Sequence, residues 1–311
     1  MKSLLLASLI PALAVSAYAQ EAPAFAIKAA FVPLDKENGR NFVGAVVAAT
    51  AAQIEYRAPL NAQASTVSAI KDFEAIIFLE PAEYIAAMDL YQSGKFEEAK
   101  VQFAKYKELT KAVAALPGNY HVLSAFYELE CLRNMGDLKG LAEGLQSFPK
   151  QQLTREHHLR QLELYVLWDA VKSENWERVL TVATERETQK LPDYQLAQVY
   201  YCKGLALQKL NRPDDAVVAY NMVMTADAAT SENLVSKAAL NALDIYQKDE
   251  AVKVAMTDWG TDQEKIGSVG YTKLLEAGTL ARLYTQYFTH IKDLPIEYKK
   301  FMDFKAKEEA P

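Results

Sequence analysis

The chain has 311 residues, 50% apolar and 24% charged, with 34 Lys+Arg against 40 Asp+Glu for a net charge of −6. That balance excludes a disordered chain and argues against a nucleic-acid or anionic-membrane partner. Only 12 glycines and two cysteines exclude a collagen and a disulfide miniprotein.

Residues 1–19 read as a signal peptide. Lys2 supplies the positive start, residues 4–15 are apolar apart from Ser8 and Pro11, and Ala17-Tyr18-Ala19 has the small-x-small spacing of a cleavage site. The apolar part is too short for a permanent anchor, and no later run is long enough to cross a bilayer. The expectation is an exported chain from Gln20, periplasmic or extracellular, without a lipid anchor because no Cys follows. Cys131 and Cys202 fall two repeat units apart in the scheme below. They are expected to stay unpaired, because helices pack ~10 Å apart and a disulfide needs Cα atoms within ~7 Å.

Residues 20–80 read as a small β domain. Short β-branched and aromatic runs occupy 25–34, 42–47, 53–57, 66–70 and 75–79, and Glu37-Asn38-Gly39-Arg40 is a hairpin signal. Ile54-Glu55-Tyr56 and Val67-Ser68-Ala69-Ile70 alternate as half-buried strands do. Five such strands predict a curled sheet or an SH3-like barrel.

After Pro81 the apolar period changes from two to about 3.6. Tyr84, Ala87, Met88 and Tyr91 mark a helical face ending at Gly94, and a second helix over 96–113 carries Ala99, Phe103 and Tyr106. Residues 200–224 repeat the layout, with Gly204, Ala216 and Tyr220 in matching places. This pattern resembles the tetratricopeptide repeat (TPR), whose unit has an early aromatic, a Gly or Ala, a later Ala and a closing aromatic. Aligned on the small residue of the second helix, the units give Ala99, Leu141, Val179, Ala216 and Ala251. The spacings are 42, 38, 37 and 35 residues, against 34 for the family. Leu116-Pro117, Phe148-Pro149 and Leu191-Pro192 punctuate the joints. Gly136-Asp137, Glu174-Asn175 and Asn211-Arg212-Pro213 mark turns inside the hairpins. Units two and three depart from the pattern, with Leu129, Leu167, Leu141 and Val179 where small residues are preferred, and should cross more widely.

Residues 260–311 read as capping helices. Thr261-Asp262-Gln263-Glu264 looks like a capping box. Tyr271, Leu274, Gly278, Ala281, Tyr284, Phe288 and Ile291 then predict one long helix. Leu294-Pro295 stops it before a short helix over 296–307. The expected fold is mainly α: a TPR-like α–α superhelix of about five hairpins over 81–259, after a small all-β domain.

Chemistry-bearing motifs are few. Glu156-His157-His158 is the sole histidine cluster, and adjacent residues on a helix diverge by about 100°, unlike an i, i+4 zinc pair. Glu97-Glu98 and Asp214-Asp215 open helices, where negative charge complements the dipole. No nucleotide or nucleophile motif occurs, and no enzyme activity, metal or cofactor is expected. The TPR resemblance instead implies a scaffold gripping a protein or peptide partner of the cell envelope. Its first-helix positions Tyr84, Met88, Tyr91, Phe126, Glu130, Arg133, Trp168 and Tyr201 would line a concave face suited to an apolar or amphipathic segment. A structural subunit assembling through the β domain, or a hydrolase with its site between the domains, is the alternative.

Overall fold

Alternation of inward and outward side chains organises the first unit. In the computed structural model, which describes residues 26–36, 39–227 and 231–306, the strands are β1 (Ile27–Pro33), β2 (Phe42–Ala49), β3 (Gln53–Arg57), β4 (Thr66–Ala69) and β5 (Phe73–Phe78). They lie in the order β4-β3-β2-β1-β5. β1 runs antiparallel to both neighbours, with Phe31 opposite Phe42 on one side and Ile76 on the other. The Phe31 ring lies 4.9 Å from Phe42, 4.6 Å from Tyr56 and 5.2 Å from Phe73. Tyr56 and Phe73 stand three strand positions apart, roughly 14 Å in a flat sheet, yet their rings are 6.0 Å apart. The sheet therefore curls around its aromatic face, and among the described residues β4 and β5 remain its edges. Gly44 is required there, since a Cβ would stand 2.9 Å from the Arg57 carbonyl oxygen and 3.1 Å from the Phe31 ring. The signal peptide and the turn residues Glu37 and Asn38 lie outside the described residues.

The second unit comprises residues 49–52 and the chain from Glu80. Five helical hairpins follow in order: α1 (Ala82–Gln92) with α2 (Phe96–Leu109), α3 (Tyr120–Met135) with α4 (Leu138–Gln146), α5 (Glu156–Lys172) with α6 (Trp176–Glu187), α7 (Asp193–Lys209) with α8 (Pro213–Ala226), and α9 (Glu232–Lys248) with α10 (Glu250–Asp258). α11 (Val269–Tyr287) and the single turn α12 (Ile296–Lys299) close the unit. No helix among the described residues is long and apolar enough to cross a membrane. Cys131 and Cys202 are buried and unpaired.

The first four hairpins share one turn. Gly94, Gly136, Glu174 and Asn211 are left-handed, with φ of 74°, 82°, 52° and 57°. In each turn the following N–H reaches the carbonyl five residues back: Lys95 to Leu90, Asp137 to Leu132, Asn175 to Ala170 and Arg212 to Leu207, at 2.9–3.1 Å. Each left-handed residue also donates to the carbonyl three residues back. These are Schellman closures, which satisfy the last carbonyls of a helix while reversing the chain. The next helix starts at once, capped by the Asp137 and Asn175 side chains in units two and three and opened by Pro213 in unit four.

Close packing behind the turns takes two forms. In unit four a Cβ on Gly204 would stand 2.5 Å from the Tyr220 ring, so only glycine lets that ring lie on the α7 backbone. In unit two the bulk and the gap have changed sides. Leu129 projects from α3 onto Gly144 of α4, where a Cβ would meet its methyl at 2.6 Å. Ala99, Leu141, Val179 and Ala216 are all buried at their crossings.

Four expectations are corrected. Ala251 is exposed and Val252 is buried, because the α9–α10 turn is the single residue Asp249 and leaves α10 rotated relative to the other second helices. α2 stops at Leu109, where Thr110 Oγ1 donates to the Tyr106 carbonyl at 2.9 Å, and a 3₁₀ turn covers Lys111–Val113. The Thr261 hydroxyl closes a loop turn, accepting from Gln263 N–H and donating to Asp258 O, whereas the cap of α11 is Ser268. α11 ends at Tyr287 rather than running to Ile291, and beyond Pro295 the chain forms α12 and a 3₁₀ turn at Lys300–Asp303. There Arg282 donates to the Met302 and Phe304 carbonyls, which binds that segment to α11.

Gly204→Ala should cost about 1–3 kcal/mol by overpacking, despite alanine's better helix propensity. Glu174→Gly should stay within about 0.5 kcal/mol of the parent, because relief of a left-handed side chain is offset by a more flexible unfolded chain. Urea melts of both variants check the pair. An equal loss in each would contradict a tight crossing at Gly204 and a tolerant turn at Glu174.

Candidate functional site

Glu130 and Arg133 sit one turn apart on the face of α3 that looks into the helical unit, and both are more than 90% buried. The guanidinium binds the carboxylate as a fork, Nε to Oε1 at 3.0 Å and Nη2 to Oε2 at 2.7 Å. Tyr91 of α1 donates to Oε2 at 3.3 Å, and Tyr165 of α5 donates to Oε1. Burial alone raises a carboxyl pKa. Here the Arg133 charge and the hydrogen bonds from Arg133, Tyr165 and Tyr91 outweigh it, holding Glu130 below its ordinary range. Burial also lifts the Tyr165 hydroxyl, and the Glu130 charge adds to the shift, so the phenol stays protonated and donating.

The network continues along the repeats. Arg133 lies 5.9 Å from the Trp168 ring centroid, and Trp168 Nε1 donates to Gln198 Oε1 at 3.0 Å. Gln161 of α5 and Gln198 of α7 exchange amide hydrogen bonds at 2.9 and 3.0 Å. From α9, Asn233 and Lys237 both donate to the Asn134 carbonyl near the end of α3, at 3.0 and 2.9 Å. Burial and the nearby Arg133 charge lower the Lys237 pKa. Residues some hundred positions apart thus meet across this face.

The eight residues expected to line a partner groove are placed as follows. Tyr84, Phe126, Glu130, Arg133 and Trp168 are buried, whereas Met88, Tyr91 and Tyr201 are half-buried. Tyr84 packs among Phe103, Tyr106, Tyr120 and Tyr127, at ring separations of 4.7–6.4 Å. Phe126 stacks on His158, and Tyr201 lies between Trp168 and Tyr220. At the five buried positions neighbouring repeats pack their own side chains against these residues. The sequence reading missed Tyr165, Gln161, Gln198, Asn233 and Lys237. Gln161 and Gln198 carried a signal, being 37 residues apart, the repeat spacing of units three and four.

An accessible groove of about 340 Å³ lies elsewhere, between α6, α7 and α8. α6 lines it with Leu180 and Thr184, α7 with Tyr200 and Leu207, and α8 with Val218, Ala219 and Met222. Val218 and Met222, four apart on α8, are 62% and 40% exposed. The bases at its rim are neutralised within the chain, Lys203 by Glu187 and Arg212 by Asp215, each at 2.7 Å.

The chain is similar to a thermophilic TPR protein of Thermus thermophilus, at 13% identity and a TM-score of 0.39, over 71% of this chain and 98% of that one. No family model and no curated protein matches. The repeat is defined by its four shared turns.

Breaking the buried pair should cost more than removing it. Arg133→Met is expected to lose about 3–5 kcal/mol by stranding the Glu130 charge, while Glu130→Leu with Arg133→Met recovers much of that loss. The Arg133→Met penalty should shrink on acidification, since a stranded carboxylate is relieved by protonation. Denaturant melts of the three proteins at pH 7 and 5 check both statements.

Proposed function

We propose that this chain is an exported, non-enzymatic scaffold of the cell envelope that holds an apolar or amphipathic helical segment of a partner protein in the α6–α8 groove. The observation that carries the reading is the exposed pair Val218 and Met222 facing Leu180 and Thr184. Two ridges of i, i+4 side chains line the groove together with Tyr200 and Leu207 of α7. A partner helix would drop its own ridge between them, burying apolar area without losing a charged group's hydration. The internally paired rim bases leave little field to steer an acidic or basic ligand. The Lys2 start, the apolar stretch and Ala17-Tyr18-Ala19 support export, with a mature start at Gln20.

The test begins with a photo-crosslinking residue at position 222 in the native host, followed by purification of the adduct's partner. Val218→Asp with Met222→Asp should weaken its affinity at least tenfold, because a buried carboxylate would find no counter-charge. The melting temperature should change little, as both side chains reach solvent, Val218 at 62% and Met222 at 40% exposure. Parent affinity should hold within a few-fold between about 0.05 and 0.5 M salt. Steep salt dependence, or full affinity in the double variant, would place the partner elsewhere.

A further inference from the structure

His158 stands at the start of α5, 2% exposed, against α3. Its ring lies 4.3 Å from Phe126, 5.8 Å from Tyr127 and 4.1 Å from His157. Neither ring nitrogen has a hydrogen-bond partner among the described residues. A buried imidazole normally gives its N–H to a carbonyl or carboxylate, so two orphan nitrogens disfavour the charged ring, with two unmet donors, more than the neutral one.

The charges around it explain why. On its own segment His158 faces Arg155 and His157, both of which oppose a further positive charge. From α3 it faces Tyr127, a neutral phenol, and Glu130, whose carboxylate is already held by Arg133, Tyr165 and Tyr91. From α7 comes Gln195, whose Nε2 donates to the His157 carbonyl at 3.0 Å and whose Oε1 makes no hydrogen bond to either His158 nitrogen. An imidazolium here would bring two N–H donors into an apolar contact with no acceptor within hydrogen-bond distance of either. The Phe126 face would offer it some cation–π attraction but no hydrogen bond.

We propose that His158 is an acid-sensitive release for the α3–α5 contact: protonation of its orphan imidazole makes the buried ring seek water and frees the first turns of α5 from Phe126. Burial, followed by the neighbouring His157 and Arg155, pushes its pKa down to about 4 from the ordinary 6.5. The unfolded or opened segment therefore binds the proton first. The contact is intact above pH 6.5 and weakens as pH falls from 6.5 toward 4. The network at Glu130 shares α3 and α5, so release at His158 reaches the inner face through Tyr165. The device is independent of where a partner binds.

Hydrogen exchange at pH 7 and 4.5, corrected for intrinsic rates, reads the release directly. In the parent, amides of residues 158–162 should lose at least tenfold protection at pH 4.5 relative to α7 and α8. His158→Phe keeps the stacked ring without the titrating nitrogens and should change less than threefold. Equal loss in both proteins would overturn the proposal. Should the variant fold poorly, the parent alone decides. The imidazole signal of His158, followed by NMR, should titrate well below the ordinary range, and a midpoint near 6.5 would defeat the idea.

Discussion

The constraint on which the helical unit depends is that Glu130 and Arg133 are charged yet buried, at 5% and 8% exposure. Removing two ions from solvent costs several kcal/mol each, and mutual attraction offsets this only when geometry is good and every remaining lone pair is used. The fork between Nε, Nη2 and the two carboxylate oxygens satisfies the first condition. Tyr91 and Tyr165 satisfy the second, and they come from α1 and α5, so the pair is complete only when three hairpins are in register. Apolar contacts tolerate a small slip between repeats; this pair does not. Its role is specificity of packing more than net stability.

Much of the architecture follows from local rules visible in the chain. Gly94, Gly136 and Asn211 are residue types that accept left-handed φ, and Pro117, Pro149 and Pro192 interrupt helices at the joints. Glu174 shows the limit of such reasoning, since it has no special tolerance for φ 52° and takes it because the flanking helices fix the turn. The β strands were legible from alternation, as in Ile54-Glu55-Tyr56, although the fifth run, read from residue 75, begins at Phe73. The choice between an open curled sheet and a closed barrel was not legible, because it depends on rings from non-adjacent strands meeting.

The candidate site was harder to read. Helical periodicity says which residues point toward the inner side of a hairpin, and Tyr84, Phe126, Glu130, Arg133 and Trp168 do. It does not say how far neighbouring first helices stand apart, which sums many small crossings. Leu129 against Gly144 shows why the sum is hard to obtain. A residue too large for the family pattern is matched by a gap on the opposite helix, so the hairpin closes through a pairing that no single position reveals. Asn233 and Lys237 reaching the Asn134 carbonyl are the most distant consequence.

That closure bears on how the chain meets other molecules. A helical stack offers an inner and an outer side, and here the inner side is occupied by a fork of charges, an amide pair and a lysine bound to a helix end. Displacing these groups would break the fork and the amide pair and leave buried partners unsatisfied, a cost no short apolar segment could offset. The outer side carries no such obligation. Its hairpin crossings are filled by small residues such as Ala216, which leaves Val218 and Met222 as unmatched apolar relief beside a groove whose charges are already paired. The same buried pair that fixes the register of the repeats thus keeps their inner side closed.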